Sequence, residues 1–165
     1  MDDAFDDLLT ANRAYADDFD MQGFDGIARA GVAVVTCMDS RIDPLGMLGL
    51  KPGDAKILRN PGGRATERVL VGLVLGGTLL GVDRVLLVQH TRCAVATNSE
   101  EQLLTRVGEA AGQDAHWLAV EAISDQRRTL AEDVHKVASH PLVAEHVRVG
   151  GFLYDVDTGL LERVA

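Results

Sequence analysis

Cysteine is scarce in this chain of 165 residues, which has two, Cys37 and Cys93. One pair cannot build the disulfide framework of a small secreted domain, and in a reducing compartment a structural bridge is not expected. The bland role for each thiol is that of a small buried residue, a reading that its neighbours must overturn. Basic residues are also in short supply, 16 Lys and Arg against 25 Asp and Glu, for a formal net charge of −9. Such a surface repels phosphate backbones and argues against nucleic-acid binding. Long apolar runs are missing too. The longest, Val69 to Val82, stops at Asp83-Arg84. It is too short to span a bilayer, reads as a buried core helix, and leaves no membrane association to expect. The start, Met1-Asp2-Asp3-Ala4-Phe5-Asp6-Asp7, is acidic where a secretory signal is basic. These absences point to a cytoplasmic protein.

With 47% hydrophobic and 25% charged residues, the composition is that of an ordinary globular chain. No repeat, low-complexity tract or linker divides it. The expectation is one domain over residues 1–165, with residues 1–25 as an N-terminal helical arm. Phe5, Leu8, Leu9, Tyr15, Ala16 and Phe19 recur at helical spacing, interrupted by Asn12, and the acidic first turn suits the positive end of the helix dipole. That stripe belongs either to the intramolecular core or to a contact with a second subunit.

Further along, short β-branched runs alternate with helical patterns. Gly31 to Cys37, Ala55 to Asn60 and Val82 to Gln89 read as buried strands, and Trp117 to Val120 as a fourth. Thr66 to Leu80 reads as an apolar helix whose Gly72, Gly76 and Gly77 imply a closely packed neighbour. Ser99-Glu100-Glu101-Gln102 has the form of a capping box opening a helix to about Ala111. Ser124-Asp125-Gln126 opens another to about Ala138, before Pro141. Strand-like runs on either side of Asp157-Thr158-Gly159 predict a closing β-hairpin. The fold class that follows is α/β: a mainly parallel central sheet with helices on both faces, an N-terminal helix and a C-terminal hairpin. Sites in open α/β sheets lie beyond the carboxyl ends of the strands. Cys37 and His90 end two of the predicted strands, and Cys93 follows His90 by a short turn.

His90-Thr91-Arg92-Cys93 spaces two possible metal ligands by two residues, a weak signal alone. Cys37-Met38-Asp39-Ser40-Arg41 is more distinctive, with thiol, carboxylate and guanidinium at alternating positions. Together these motifs offer two thiolates and one imidazole, a set that zinc accepts. Three protein ligands leave a position for water, the mark of a catalytic rather than a structural zinc. Asp39 with Arg41 is otherwise an ion pair bracing a loop. Gly62 and Gly63 suit equally a turn after a strand or a close approach of backbone to substrate. His116, His135, His140 and His146 follow no ligand pattern. No G-x-G-x-x-G follows the first strand, which excludes a dinucleotide-binding fingerprint.

On these motifs the chain resembles the β-class carbonic anhydrases, which carry C-x-D-x-R after the first core strand and H-x-x-C after a later one. The matching residues are Cys37, Asp39, Arg41, His90 and Cys93. Ile57-Leu58-Arg59-Asn60-Pro61-Gly62-Gly63 resembles the family's glycine loop, and Gly151 to Leu160 its closing strands. The resemblance implies one Zn²⁺ per chain on Cys37, His90 and Cys93. It implies reversible hydration of carbon dioxide to bicarbonate and a proton by zinc-bound hydroxide, and a homodimer or homotetramer. Asp39, paired with Arg41, would orient the attacking water or swing onto the metal to close the site. Three positions depart from the family pattern: Ala94 where Gly is usual, Arg92 where an acidic or small residue is common, and Pro61 in place of Ala. They bear on pocket shape and substrate range more than on metal binding. Hydrolysis of carbonyl sulfide or carbon disulfide on the same scaffold is one alternative, and a non-catalytic zinc or bicarbonate-binding module is another.

Overall fold

The computed structural model describes residues 4–143 and 145–165. Its α/β architecture is the expected one. A five-stranded sheet has the order β2-β1-β3-β4-β5, with β1 Val32–Cys37, β2 Ala55–Asn60, β3 Arg84–His90, β4 Arg148–Tyr154 and β5 Leu161–Arg163. The β1–β2, β1–β3 and β3–β4 pairs are parallel, and β4–β5 is the antiparallel closing hairpin. Every residue of β1 is buried. A strand with neighbours on both edges and cover on both faces has no solvated side, so its sequence reads as a continuous apolar run.

The chain leaves β1 for β2 on one side and returns to β3 on the other. The carboxyl ends of β1 and β3 therefore flank a topological switch point, where crevices form in open α/β sheets. On one face, Ala33, Val35, Val85 and Leu87 pack against α2 (Glu67–Leu79) and α5 (Gln126–Ala138) through Leu70, Leu73, Leu130 and Val137. Leu73, Leu87 and Leu130 are essentially inaccessible, each burial contributing about 1.5–3 kcal/mol. On the other face, Val34, Leu86, Val88 and Phe152 meet Met47, Leu48 and Leu50, in and beside the 3-10 turn Gly46–Leu48.

The helix starts are those that the cap residues predict. Thr66 accepts the Val69 N–H for α2, and Asp125 that of Arg128 for α5. Ser99 and Gln102 form a full capping box for α4 (Glu100–Ala111). Gly72 sits where an added Cβ would lie 2.6 Å from Leu58, the close packing expected of this helix.

Two expectations are corrected, and one of two open readings is removed. Trp117 to Val120 is not a strand: Trp117 is 75% exposed. Its apolar run instead forms a loop whose N–H groups at Val120, Glu121 and Ala122 are gathered by the Glu100 carboxylate. The apolar helix is only half buried, with Val71, Leu75 and Leu79 outward. The N-terminal helix α1 (Asp6–Asp17) buries none of its residues, so its stripe is no part of the intramolecular core.

Candidate metal centre

The carboxyl ends of β1 and β3 bring the motif residues together. Cys37 is the last residue of β1 and His90 the last of β3. Cys93 follows after a turn at Arg92, whose φ of 54° is in the left-handed region. One ligand atom from each of Cys37, His90 and Cys93 lies within 4.8 Å of the others, and all three residues are buried. Left-handed backbone is uncommon for a side-chain-bearing residue, and at Arg92 it reverses the chain so that Cys93 faces the strand ends. Ala94 opens the short helix α3 (Ala94–Thr97). The loss of glycine at that position therefore asks no unusual conformation of the backbone.

The donor set suits a dication. The two sulfurs are 4.0 Å apart, close to the roughly 3.8 Å that two ~2.3 Å Zn–S bonds at tetrahedral angle would set. His90 Nδ1 is 2.9 Å from the Thr91 carbonyl, which fixes the ring. Its Nε2 is buried with no hydrogen-bond partner among the described residues, and such an atom is costly unless something coordinates it. Donation from the Cys93 thiol draws the Cys37 thiol well below its ordinary pKa against the opposing effect of burial, with help from His90 and from the Asp39 and Gly62 N–H groups. The same contact, with burial, pushes Cys93 up. Two thiolates at this separation repel each other, and a metal cation removes the conflict.

Asp39 stands at the rim, with Oδ2 3.9 Å from His90 Nε2. It is held there by Arg41, whose Nε donates to Oδ1 at 2.9 Å, Nη2 to Oδ2 at 2.7 Å, and backbone N–H to Oδ1 at 2.9 Å. The guanidinium beside Asp39 holds its carboxyl well below the usual carboxylate range, against a smaller opposing effect of burial. Arg41 also donates to the Arg92 carbonyl at 3.3 Å, joining the two motifs directly.

Gly62 and Gly63 both have positive φ. The Gly62 N–H lies 3.4 Å from Cys37 Sγ, and an added Cβ there would crowd Val95 and Ile123. At Gly63 a Cβ would come within 2.7 Å of the Val88 carbonyl oxygen and 3.1 Å of Cys37 N. The glycine loop is thus packed on the ligand strand, with one N–H aimed at a ligand sulfur.

Several contributing residues escape sequence reasoning. Arg59 donates to the carbonyls of Cys37 at 2.9 Å and Asp39 at 2.6 Å, pinning the ligand loop from the neighbouring strand. Gln126, at the start of α5, donates to the His90 carbonyl at 2.9 Å. Arg64 meets the buried Asp133 through Nε at 2.7 Å, tying the glycine loop to α5. Of these only Arg59 lies in a segment that the sequence singles out, the run Ile57 to Gly63. Of the other histidines, His116 is exposed and pairs with Asp114, and His135 lies in the last turn of α5. Ile42, Val95 and Ile123 form a buried cluster with Cys37 and Cys93, and Met47, Val120 and Tyr154 pack against it.

Comparison with known proteins agrees with this geometry. Residues 32–161 match the family described as carbonic anhydrase. The chain is 31% identical over 163 residues to β-carbonic anhydrase 1 of Mycobacterium tuberculosis, covering 96% of each chain. The chain belongs to the β-class carbonic anhydrase family. Its backbone superposes on the crystal structure of carbonic anhydrase from Streptococcus mutans with a TM-score of 0.88 at 33% identity, covering 100% of this chain and 99% of the other. A carbon disulfide hydrolase of Acidithiobacillus thiooxidans is 27% identical over 150 residues, covering 78% of this chain and 74% of that protein. Proteins similar to this chain thus carry the names of both carbonic anhydrase and carbon disulfide hydrolase. The Cys37, His90 and Cys93 cluster is typical of the family's zinc site.

Proposed function

We propose that this chain is a zinc-dependent carbonic anhydrase that reversibly hydrates carbon dioxide to bicarbonate and a proton, with one zinc per chain on Cys37, His90 and Cys93. The observation that carries the reading is the buried Cys-His-Cys cluster with a charged carboxylate, Asp39, held 3.9 Å from the unpartnered His90 Nε2. When bound, the metal supplies Lewis acidity that brings the pKa of a coordinated water to about 7.

The chain's own residues supply the rest. Cys37, His90 and Cys93 would hold the metal with three donors, and Asp39 stands at the rim of that cluster. Arg41 occupies both Asp39 oxygens. Asp39 therefore stays ionised at neutral pH and works as a hydrogen-bond acceptor that aims the water proton, not as a proton-abstracting base. Held in this way, it cannot reach the cluster and fill the water's place. The Gly62 N–H toward Cys37 Sγ tempers thiolate charge. The glycine loop at Gly62 and Gly63 brings backbone to the cluster, where it can contact substrate. Ile42, Val95 and Ile123 give a weakly polar wall suited to a small linear molecule.

We further read residues 1–165 as one catalytic domain whose arm, residues 1–25, docks on a second copy in a homodimer or homotetramer. Two free thiols suit a reducing, cytoplasmic setting. Nothing in this reading involves nucleic acid or membrane, and no helix among the described residues is long and apolar enough to cross a bilayer.

A second reading keeps the metal and changes the substrate to carbonyl sulfide or carbon disulfide. It is favoured by the carbon disulfide hydrolases among the relatives and by the apolar wall. A non-catalytic module is disfavoured, because a mere binding site has no need of the Asp39–Arg41 pair. Stopped-flow assays of metal-quantified protein on carbon dioxide, carbonyl sulfide and carbon disulfide separate these readings. The proposal expects carbon dioxide to have the highest turnover per zinc. Faster hydrolysis of either sulfur compound would replace it with the second reading.

A further inference from the structure

The turn that separates His90 from Cys93 is bound to the C-terminal hairpin at every residue. Thr91 N–H donates to the Tyr154 carbonyl at 2.9 Å, and Thr91 Oγ1 takes the Val156 N–H at 3.1 Å while lying 3.4 Å from Asp155 Oδ1. Arg92 sends its guanidinium across to Asp157, with Nη2 2.5 Å from Oδ1. Asp157 is itself set by its N–H on Asp155 Oδ1 at 2.9 Å. Arg92 is one of two non-glycine residues with positive φ among the described residues. Its backbone is in a region that L residues enter at a cost unless something local compensates. That unusual backbone carries the carbonyl that Arg41 Nη2 reaches at 3.3 Å, while the same nitrogen holds Asp39 Oδ2 at 2.7 Å.

We propose that the Arg92–Asp157 pair is a positioning clamp. It holds residue 92 in the left-handed conformation that presents its carbonyl to Arg41, and through Arg41 it keeps Asp39 at the rim of the cluster. Arg92 and Asp157 are positioning residues, because neither side chain touches the cluster. The proposal rests on the functional reading above for its consequence in turnover, but not for its structural content. Arg41 has two jobs at one nitrogen, and a carbonyl that drifts releases one of the three hydrogen bonds that anchor the guanidinium. A loosened Arg41 lets Asp39 swing toward the metal position. The pair is more than half exposed on both sides, at 58% and 61%, and exposed pairs contribute little individually. The effect expected is therefore a modest factor.

The test uses the zinc-loaded full chain and three variants, Asp157→Ala, Asp157→Glu and Arg92→Gly. Two quantities are read: solvent exchange of the Arg41 Nε–H by NMR, identified by its loss in Arg41→Ala, and carbon dioxide turnover per zinc. Asp157→Ala should retain zinc, speed Nε–H exchange about two- to fivefold and lower turnover by a like factor. Asp157→Glu, which keeps the charge, should restore both. Arg92→Gly enters the left-handed region freely and leaves Asp157 unpaired beside Arg41, so it separates the clamp from a direct effect of the Asp157 charge. The clamp predicts faster exchange in Arg92→Gly as well. Wild-type exchange in Asp157→Ala, or in Arg92→Gly alone, would overturn the proposal. Absence of turnover in the wild type would strike the functional reading and leave the NMR result to decide the clamp.

Discussion

Arg41 divides its guanidinium between Asp39 and the Arg92 carbonyl, so its removal should act on Asp39 and not on the donor set. In Arg41→Ala the freed carboxylate, beside a dication, should bind it and displace water. That variant is expected to hold a full zinc complement, to show an aspartate oxygen in the fourth position in a crystal structure, and to remain poorly active even at high pH. A water in that position together with wild-type turnover would show that Arg41 braces a loop and nothing more. The motif residues themselves were legible because Cys37 and His90 end strands whose apolar runs are unmistakable, and parallel strands deliver their last residues to one edge. The contacts of Arg59 and Gln126 were not, because each acts by donating to a backbone carbonyl on another element. No local pattern encodes which carbonyl the fold will place within reach.

At the scale of elements, the wall over the site depends on a side chain that the sequence presents as an ordinary first-turn acid. Glu100 sits at the start of α4, and its carboxylate accepts N–H groups of Val120, Glu121 and Ala122 at 2.8, 3.3 and 2.7 Å. This explains why Trp117 to Val120 fails to form the expected strand: the Leu118 N–H turns back to the Ala115 carbonyl, and the Val120 N–H and the two after it go to a side chain rather than to a neighbouring strand. These bonds, the Ala122 N–H first, hold the Glu100 carboxyl below its ordinary value. A lowered folded-state pKa contributes stability fully above the unfolded value, and that contribution is lost as pH falls through the folded one. Glu100→Gln should therefore lower the melting temperature by a few degrees at pH 7, and the gap to wild type should close below the ordinary glutamate range. A gap that persists at pH 3 would mean that the carboxylate charge does not hold the loop.

For the whole molecule, the telling feature is a helix with an apolar stripe that nothing among the described residues buries. Leu8, Leu9 and Tyr15 are 62%, 49% and 59% exposed, and Val71, Leu75 and Leu79 on α2 face outward as well. The stripe was legible as amphipathic, but periodicity cannot say whether an apolar face meets its own core or another subunit. Exposed apolar area of this kind marks an association surface, and two-fold pairing is the commonest way to cover one. Sedimentation should find a dimer or a higher even assembly at micromolar concentration, and a Leu8→Glu/Leu9→Glu double substitution should shift it toward monomer. A stable, fully active wild-type monomer would contradict this.

The account as a whole rests on Asp39 aiming a water at a zinc held by Cys37, His90 and Cys93. Its most direct test is stopped-flow carbon dioxide hydration by wild type and Asp39→Asn, with zinc measured in both. Asparagine keeps the size of aspartate and leaves the three donors in place, but it loses the charge and one acceptor oxygen. The account predicts about one zinc per chain in both proteins and a fall in turnover of roughly 100-fold or more in the variant, the order seen when a positioned electrostatic group is lost. Wild-type turnover in zinc-replete Asp39→Asn, or no hydration by the zinc-replete wild type, would contradict it.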